Sequence, residues 1–250
     1  DAGHYSTNLL YHSQVPCDIG TYQPNSEQSS CIESSPGNFV AGIGASSQQS
    51  CPSGTYQPSY FQSACIDVSP GHESNFESTA QIMCDIGYYQ PNTGVENCIA
   101  ASSGNYVPNT GATIQRECNP GTYQPNYGSP SCIDASIGHF VQNNNSVSQD
   151  GCSPGNYQPD TGQTSCIDAD PGNFVTDYYS SIQTACELGT YHNIIGSVQE
   201  SDCQSTDPGY YVDSIGSSSQ TECLPGSYNP NSGSITSSDC IVADIGHIVE

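Results

Sequence analysis

A chain of 250 residues of which only 34% are apolar, against an ordinary 45–50% or so, cannot bury one large shared core. Its 25 acidic residues face a single basic one, Arg116, for a net charge of -24, which excludes electrostatic binding to nucleic acid or to an anionic membrane surface. Fourteen cysteines in a chain this poor in apolar residues point instead to covalent staples made in an oxidising compartment, outside the cell or on its surface. No apolar run approaches the 18 or so residues that span a bilayer, and no charged-then-apolar leader opens the chain. The sequence therefore reads as a secreted, mature or excised piece with no membrane insertion.

In chain order, residues 1–16 form a cysteine-free half-unit around Gly3 and Tyr5. Seven cysteine-bearing repeats follow, at 17–50, 51–83, 84–117, 118–151, 152–185, 186–222 and 223–250, the last ending in an incomplete half. Their first cysteines recur at 34, 33, 34, 34, 34 and 37 residues, and repeat architecture governs every later reading. CDIGTYQPNSEQSSC at Cys17 returns as CNPGTYQPNYGSPSC at Cys118 and CSPGNYQPDTGQTSC at Cys152. A finer period runs through the aromatic after each glycine: Tyr5, Tyr22, Phe39 and Tyr56 lie 17 apart, and Tyr89, Tyr106, Tyr123, Phe140, Tyr157, Phe174 and Tyr191 continue the series. The unit is thus 17 residues long, and only every second unit carries cysteine.

The cysteine-free halves indicate how the cysteines pair. Ser34, Val68, Ala101, Ala135, Ala169 and Thr206 stand where the first cysteine would be, and Gln48, Gln81, Gln115, Gln149, Gln183 and Gln220 where the second would be. Partners that vanish together are bonded partners. The pairs read from this are Cys17 with Cys31, Cys51 with Cys65, Cys84 with Cys98, Cys118 with Cys132, Cys152 with Cys166, Cys186 with Cys203, and Cys223 with Cys240, connectivity that sequence alone does not prove. The glutamines, Gln14 through Gln220, are expected to bond backbone groups across their loops in place of the lost staple, because a half-buried amide must be satisfied.

Within a unit, glycine permits a turn and the residue before proline is driven to the extended region. Pro91 to Gly94 and Pro108 to Gly111 then carry β-turn chemistry. Each unit is predicted to be a small stapled hairpin, with no helix longer than a turn or two. Ile32, Ile66, Ile99, Ile133, Ile167 and Ile241, beside the tyrosines, are expected to form the apolar contact between consecutive units. Units this small must stack on their neighbours. The fold class is therefore a small disulfide-rich, all-β chain, an elongated tandem-repeat rod of 17-residue hairpins in 34-residue doubles.

Chemistry-bearing residues are sparse. His4, His72, His139 and His247 follow the glycine in cysteine-free halves, and Asn38, Asn105 and Asn173 alternate with them; they read as polar turn residues, with a metal or inter-chain stripe as the other option. Asp18, Asp85, Glu33, Asp67, Asp134 and Asp168 leave bound calcium between units open, although no EF-hand or nonapeptide calcium signature is present. No metal site or other cofactor is assigned. Nucleophile elbows, zinc-protease motifs and phosphate loops are absent, there is no lysine, and every cysteine has a partner, so no enzyme activity is expected. One glycosylation sequon stands at Asn144-Asn145-Ser146, making glycans candidate partners.

The motif Cys-x-x-Gly-x-Tyr-x-Pro, then Gly, then Cys, resembles the ephrin-receptor-like cysteine-rich repeat, a relative of the first module type in tumour-necrosis-factor receptors, and covers the chain as fifteen half-units, some partial. The resemblance implies that the cysteines flanking Gly-x-Tyr bond to each other and that Tyr22, Tyr56, Tyr89, Tyr123, Tyr157, Tyr191 and Tyr228 shield the bridges. Three departures stand out. The Cys-x-x-Cys junction has Ser34 or Ala101 in place of its second cysteine, Glu73 replaces an aromatic with Phe76 as candidate stand-in, and the last two stapled loops gain three residues.

The chain ends cut the repeat, and this carries the functional expectation. Asp1, Gly3 and Tyr5 at one end and Ile241, Ile245, Ile248 and Glu250 at the other are the expected contacts between copies of the chain, giving a head-to-tail extracellular filament or surface appendage. The alternative is an adhesin or receptor-type ectodomain that binds a protein or glycan.

Overall fold

The computed structural model describes residues 1–6 and 13–244. It divides into two compact units, residues 1–117 with 126–132, and residues 118–125 with the chain from 133 onward. Both are built from one element. Among the described residues there are fourteen two-stranded antiparallel sheets, every one a hairpin of sequence neighbours. Two 3-10 turns, Glu200–Asp202 and Ser237–Asp239, are the only helical elements there, and both lie in the stapled loops that carry three extra residues.

The hairpin from 20 to 33 shows how the local sequence makes the element. Gly20 sits at a φ of 83°, which lets the chain turn so that the Thr21 N–H and hydroxyl both donate to the Asp18 carbonyl, at 3.0 and 2.8 Å. Thr21–Tyr22 then pairs with Ile32–Glu33, placing Tyr22 opposite Ile32. Two-residue strands are far too short to persist alone, so the order must come from neighbours.

It comes through a backbone ladder. In the first unit Gly20 N–H donates to Val40 O at 2.8 Å, Gln23 N–H to Ala45 O at 3.0 Å, and Gly44 N–H returns to Cys17 O at 2.7 Å. The second unit repeats the three rungs with Gly155 to Val175 at 2.8 Å, Gln158 to Ser180 at 3.0 Å and Tyr179 to Cys152 at 2.8 Å. Within each unit, hairpins also meet the next but one. A Cβ on Gly87, whose φ is 84°, would stand 2.1 Å from the carbonyl oxygen of Gly128. Glycine is obligatory there both for its dihedral and for this approach.

Most of the buried side chains fall at two positions of the repeat. One is the first-cysteine position, where Cys17, Ser34, Val68, Cys84 and Ala101 in the first unit, and Ala135, Cys152, Ala169, Cys186 and Thr206 in the second, are almost wholly enclosed. The other is the third residue after the glycine: Gln23, Gln57 and Gln90 in stapled hairpins of the first unit alternate with Val40 and Val107, and Gln158 with Val141 and Val175 in the second. This corrects the expected Tyr and Ile core. Ile99 is 43% exposed, and Ile32, Ile66, Ile133, Ile167 and Ile241 resemble it, because the ladder turns the Tyr and Ile faces of the hairpins partly to solvent. Phe76 does not stand in for the missing aromatic either, as it is fully exposed. At Glu73 the carboxylate instead accepts the Cys98 N–H at 3.1 Å.

Candidate functional site

The feature that recurs in every hairpin is the closure of its mouth, and it takes two chemical forms. In the first, a disulfide links Cys17 to Cys31, Cys51 to Cys65, Cys84 to Cys98 and Cys152 to Cys166 across 14 residues, and Cys186 to Cys203 and Cys223 to Cys240 across 17. Cys118 and Cys132 are also disulfide-bonded. Cα separations of 5.7 to 5.8 Å lie in the middle of the normal range. The longer loops close through the added 3-10 turn, where the Asp239 carboxylate accepts the N–H groups of Ile235 and Thr236, both at 3.0 Å. Asp202 does the same for Val198 and Gln199, at 3.1 and 3.3 Å. Desolvation works to raise the Asp202 pKa, but the hydrogen bonds from the Gln199 side chain and the two backbone N–H groups outweigh it and hold the carboxyl below its ordinary range.

In the second form an amide closes the mouth. Gln48 Oε1 accepts the Ser35 N–H at 2.9 Å, Gln115 the Ser102 N–H at 2.8 Å, and Gln81 the Ser69 N–H at 2.9 Å. Beyond residue 133 the same bond joins Gln149 to Ser136, Gln183 to Asp170 and Gln220 to Asp207, at 2.7, 2.7 and 2.8 Å. Where the partner is aspartate, the amide nitrogen also donates to its carboxylate, at 2.7 Å from Gln183 and 2.8 Å from Gln220. These six glutamines are half-buried, and each bond ends one residue past the position of the absent first cysteine. Gln14, oriented to satisfy its own amide, meets Asp1 in the same way.

A further set of glutamines escaped the sequence reading, which treated them only as extended residues before proline. Gln23, Gln57, Gln90 and Gln158 are buried, and each spans its own stapled loop. Gln90 Nε2 donates to Asn97 O at 2.7 Å while its Oε1 accepts the Asn92 N–H at 3.1 Å. The signal was available: glutamine holds this position in most stapled halves, where valine holds it in most of the others and Ser6 and Ser74 in the remaining two. His192 breaks the pattern. It fills the same buried position in the loop closed by Cys186 and Cys203, and its Nδ1 has no hydrogen-bond partner. Asn229, its counterpart in the other long loop, is satisfied by Ser234 Oγ at 2.6 Å, the Tyr210 carbonyl at 3.2 Å and the Asn231 N–H at 3.1 Å.

Histidine and asparagine after the glycine of a cysteine-free half share one local role. His72 Nδ1 lies 3.0 Å from Pro70 O and His139 Nδ1 3.0 Å from Ile137 O, as His4 does at 3.2 Å from Ala2 O. Asn38 and Asn173 donate to the matching carbonyls of Pro36 and Pro171 at 3.2 and 3.3 Å. The alternation of histidine and asparagine therefore closes turns, and His247 lies outside the described residues. His139 has a second contact, stacking on Tyr179 with centroids 5.1 Å apart and planes 9° from parallel. That ring occupies the space a side chain at Gly151 would need. Among the described residues no three of His, Cys, Asp and Glu converge on a metal geometry.

Of the expected contacts between copies, Asp1 is exposed, Tyr5 is half-buried, and Gly3 is buried with its N–H already on Gln23 O at 2.7 Å. Ile241 is 48% exposed, and Ile245, Ile248 and Glu250 lie outside the described residues. Asn144 is exposed at a loop tip. No helix among the described residues is long and apolar enough to cross a membrane.

Residues 3–51 match the family model for a tyrosine-protein kinase ephrin type A/B receptor-like module, the family whose motif the sequence resembles. No curated protein matches the chain. The matched family is a cysteine-rich receptor-like module and not an enzyme class. Together with the disulfide-closed hairpins it fits an extracellular domain of receptor type or structural type.

Proposed function

We propose that this ephrin-receptor-like array is a structural component of an extracellular filament or surface appendage, in which copies of the chain meet head to tail. The observation that supports the reading is the ladder itself. Within each unit the same backbone rungs recur from hairpin to hairpin, as in Gly87 to Val107 at 2.8 Å, Gln90 to Ala112 at 3.0 Å and Gly94 back to Val68 at 2.9 Å. A contact between copies that reuses these rungs is heterologous and propagates as an open assembly. Backbone rungs demand little of side chains, so the rule holds across hairpins of different sequence.

The charge of -24 per chain opposes such contacts until salt screens it. Electron microscopy of the purified, oxidised full chain over a salt series tests the reading. Uniform fibres that lengthen with salt are expected. Discrete particles of single-chain mass at every salt concentration would overturn it and favour a receptor-type ectodomain.

A further inference from the structure

We propose that Asn144 is an N-glycosylation site, the acceptor for a preassembled oligosaccharide delivered from a lipid pyrophosphate donor. In the transfer, the Asn144 amide nitrogen attacks C1 of the first sugar. The bond from C1 to the pyrophosphate oxygen breaks with its electron pair on that oxygen, the C1–N bond forms, and one amide proton passes to the released lipid pyrophosphate.

The chemistry requires a hydroxyl two residues after the asparagine. Asn144-Asn145-Ser146 supplies it, whereas Asn92, Asn109 and Asn231 place their hydroxyl one residue on and a glycine at the second. The fold divides the tripeptide into members it uses and one it does not. Asn145 sits in the left-handed region with a φ of 57°, and its N–H donates to Cys118 O at 2.9 Å. Ser146 O accepts the Gln124 N–H at 3.0 Å, and its hydroxyl donates to Asn143 O at 2.7 Å. Asn144 is exposed and forms no hydrogen bond among the described residues. A sugar on its side chain therefore displaces no contact of the folded loop.

The sequon also lies in a hairpin that no disulfide closes; its mouth is held by Gln149 Oε1 on the Ser136 N–H at 2.7 Å. Before the ladder forms, nothing covalent prevents 144–146 from extending into an acceptor conformation. The Ser146 hydroxyl is then free to face the Asn144 amide, and it turns to Asn143 once the loop has folded.

The test is secretion of the full chain from a eukaryotic host, followed by peptide mass spectrometry with and without an amidase that releases N-linked glycans and converts the modified asparagine to aspartate. A glycan mass on the Asn144 peptide, and a one-dalton gain there after release, are expected. Asn144→Gln and Ser146→Ala should each abolish it, while Ser146→Thr should retain or raise occupancy. Secreted chain with Asn144 unmodified, in both the wild type and Ser146→Thr, would overturn the proposal. If Asn144→Gln is not secreted, the wild type and Ser146→Thr still decide it.

Discussion

Two neighbouring hairpins, 84–98 and 101–115, follow the same backbone course with opposite chemistry. The first is closed covalently by Cys84 and Cys98 and buries the polar Gln90. The second is closed by the amide of Gln115 on Ser102 at 2.8 Å and buries the apolar Val107 in the same position. In this pair the staple accompanies a polar interior and the amide clamp an apolar one, whereas the clamped hairpin 68–81 has Ser74 at the same position. A loop of about 15 residues closed by a disulfide gains roughly 3 kcal/mol on the chain-entropy model. A net hydrogen bond of about 1 kcal/mol with a buried valine of about 1.5–3 kcal/mol reaches a similar total. The array alternates between two solutions of comparable strength, and the ladder common to both is the invariant.

That invariance gives the largest expected effect. Gly71 begins an amide-clamped hairpin and Gly87 a stapled one, yet a Cβ on either would strike a backbone oxygen, at 2.3 and 2.1 Å. Gly71→Ala and Gly87→Ala should each cost about 3 kcal/mol or more, from the left-handed dihedral together with overpacking. Local hydrogen exchange across the hairpin and the one two steps on reads this directly. A large cost in one and a small cost in the other would show that the ladder depends on the staple.

The two closures come next. Cys84→Ala with Cys98→Ala should destabilise its hairpin by about 3 kcal/mol. Gln115→Leu should lose about 1–3 kcal/mol, since the Ser102 N–H is left without its acceptor. Denaturation followed hairpin by hairpin compares them, because a repeat array unfolds in pieces and a single midpoint conceals the difference. A Gln115→Leu cost near zero would reduce the clamp to an ornament of the surface.

The smallest effect has the opposite sign. His192 carries a buried nitrogen without a partner, whereas Asn229 in the equivalent loop is satisfied, and Ser197 stands buried where Ser234 serves Asn229. His192→Asn should therefore stabilise the 186–203 hairpin by about 1 kcal/mol, measured as a raised denaturation midpoint for that segment. Destabilisation would mean that the imidazole packs to more advantage than its orphaned nitrogen costs.

Much of this was legible in the sequence because the repeat supplies its own controls. The hairpin follows from the 17-residue spacing of the aromatics, and the clamp from glutamines that appear where cysteine is missing. The core was misread because burial is decided between hairpins. Ile32 looks like a core residue by type, but the rungs at Gly20 and Gln23 turn Cys17 and Gln23 inward and leave Ile32 at the surface. The buried glutamines were overlooked for a related reason: Tyr-Gln-Pro reads locally as extended backbone, and only the loop folding over Gln23 reveals the bond from its Nε2 to Ser30 O at 2.8 Å. The approach of Gly71 and Gly87 to the hairpin two steps on leaves no local trace at all.

The central claim is that an amide closes the cysteine-free hairpin as a disulfide closes its neighbour, and residue-resolved hydrogen exchange at Ser35, Ser69, Ser102 and Ser136 tests it most directly. These N–H groups should be protected to about the same degree as the ladder N–H groups of Gly37 and Gly71, and in Gln115→Leu protection should vanish at Ser102 alone. Exchange at all four as fast as an unstructured loop in the unaltered chain would contradict the account.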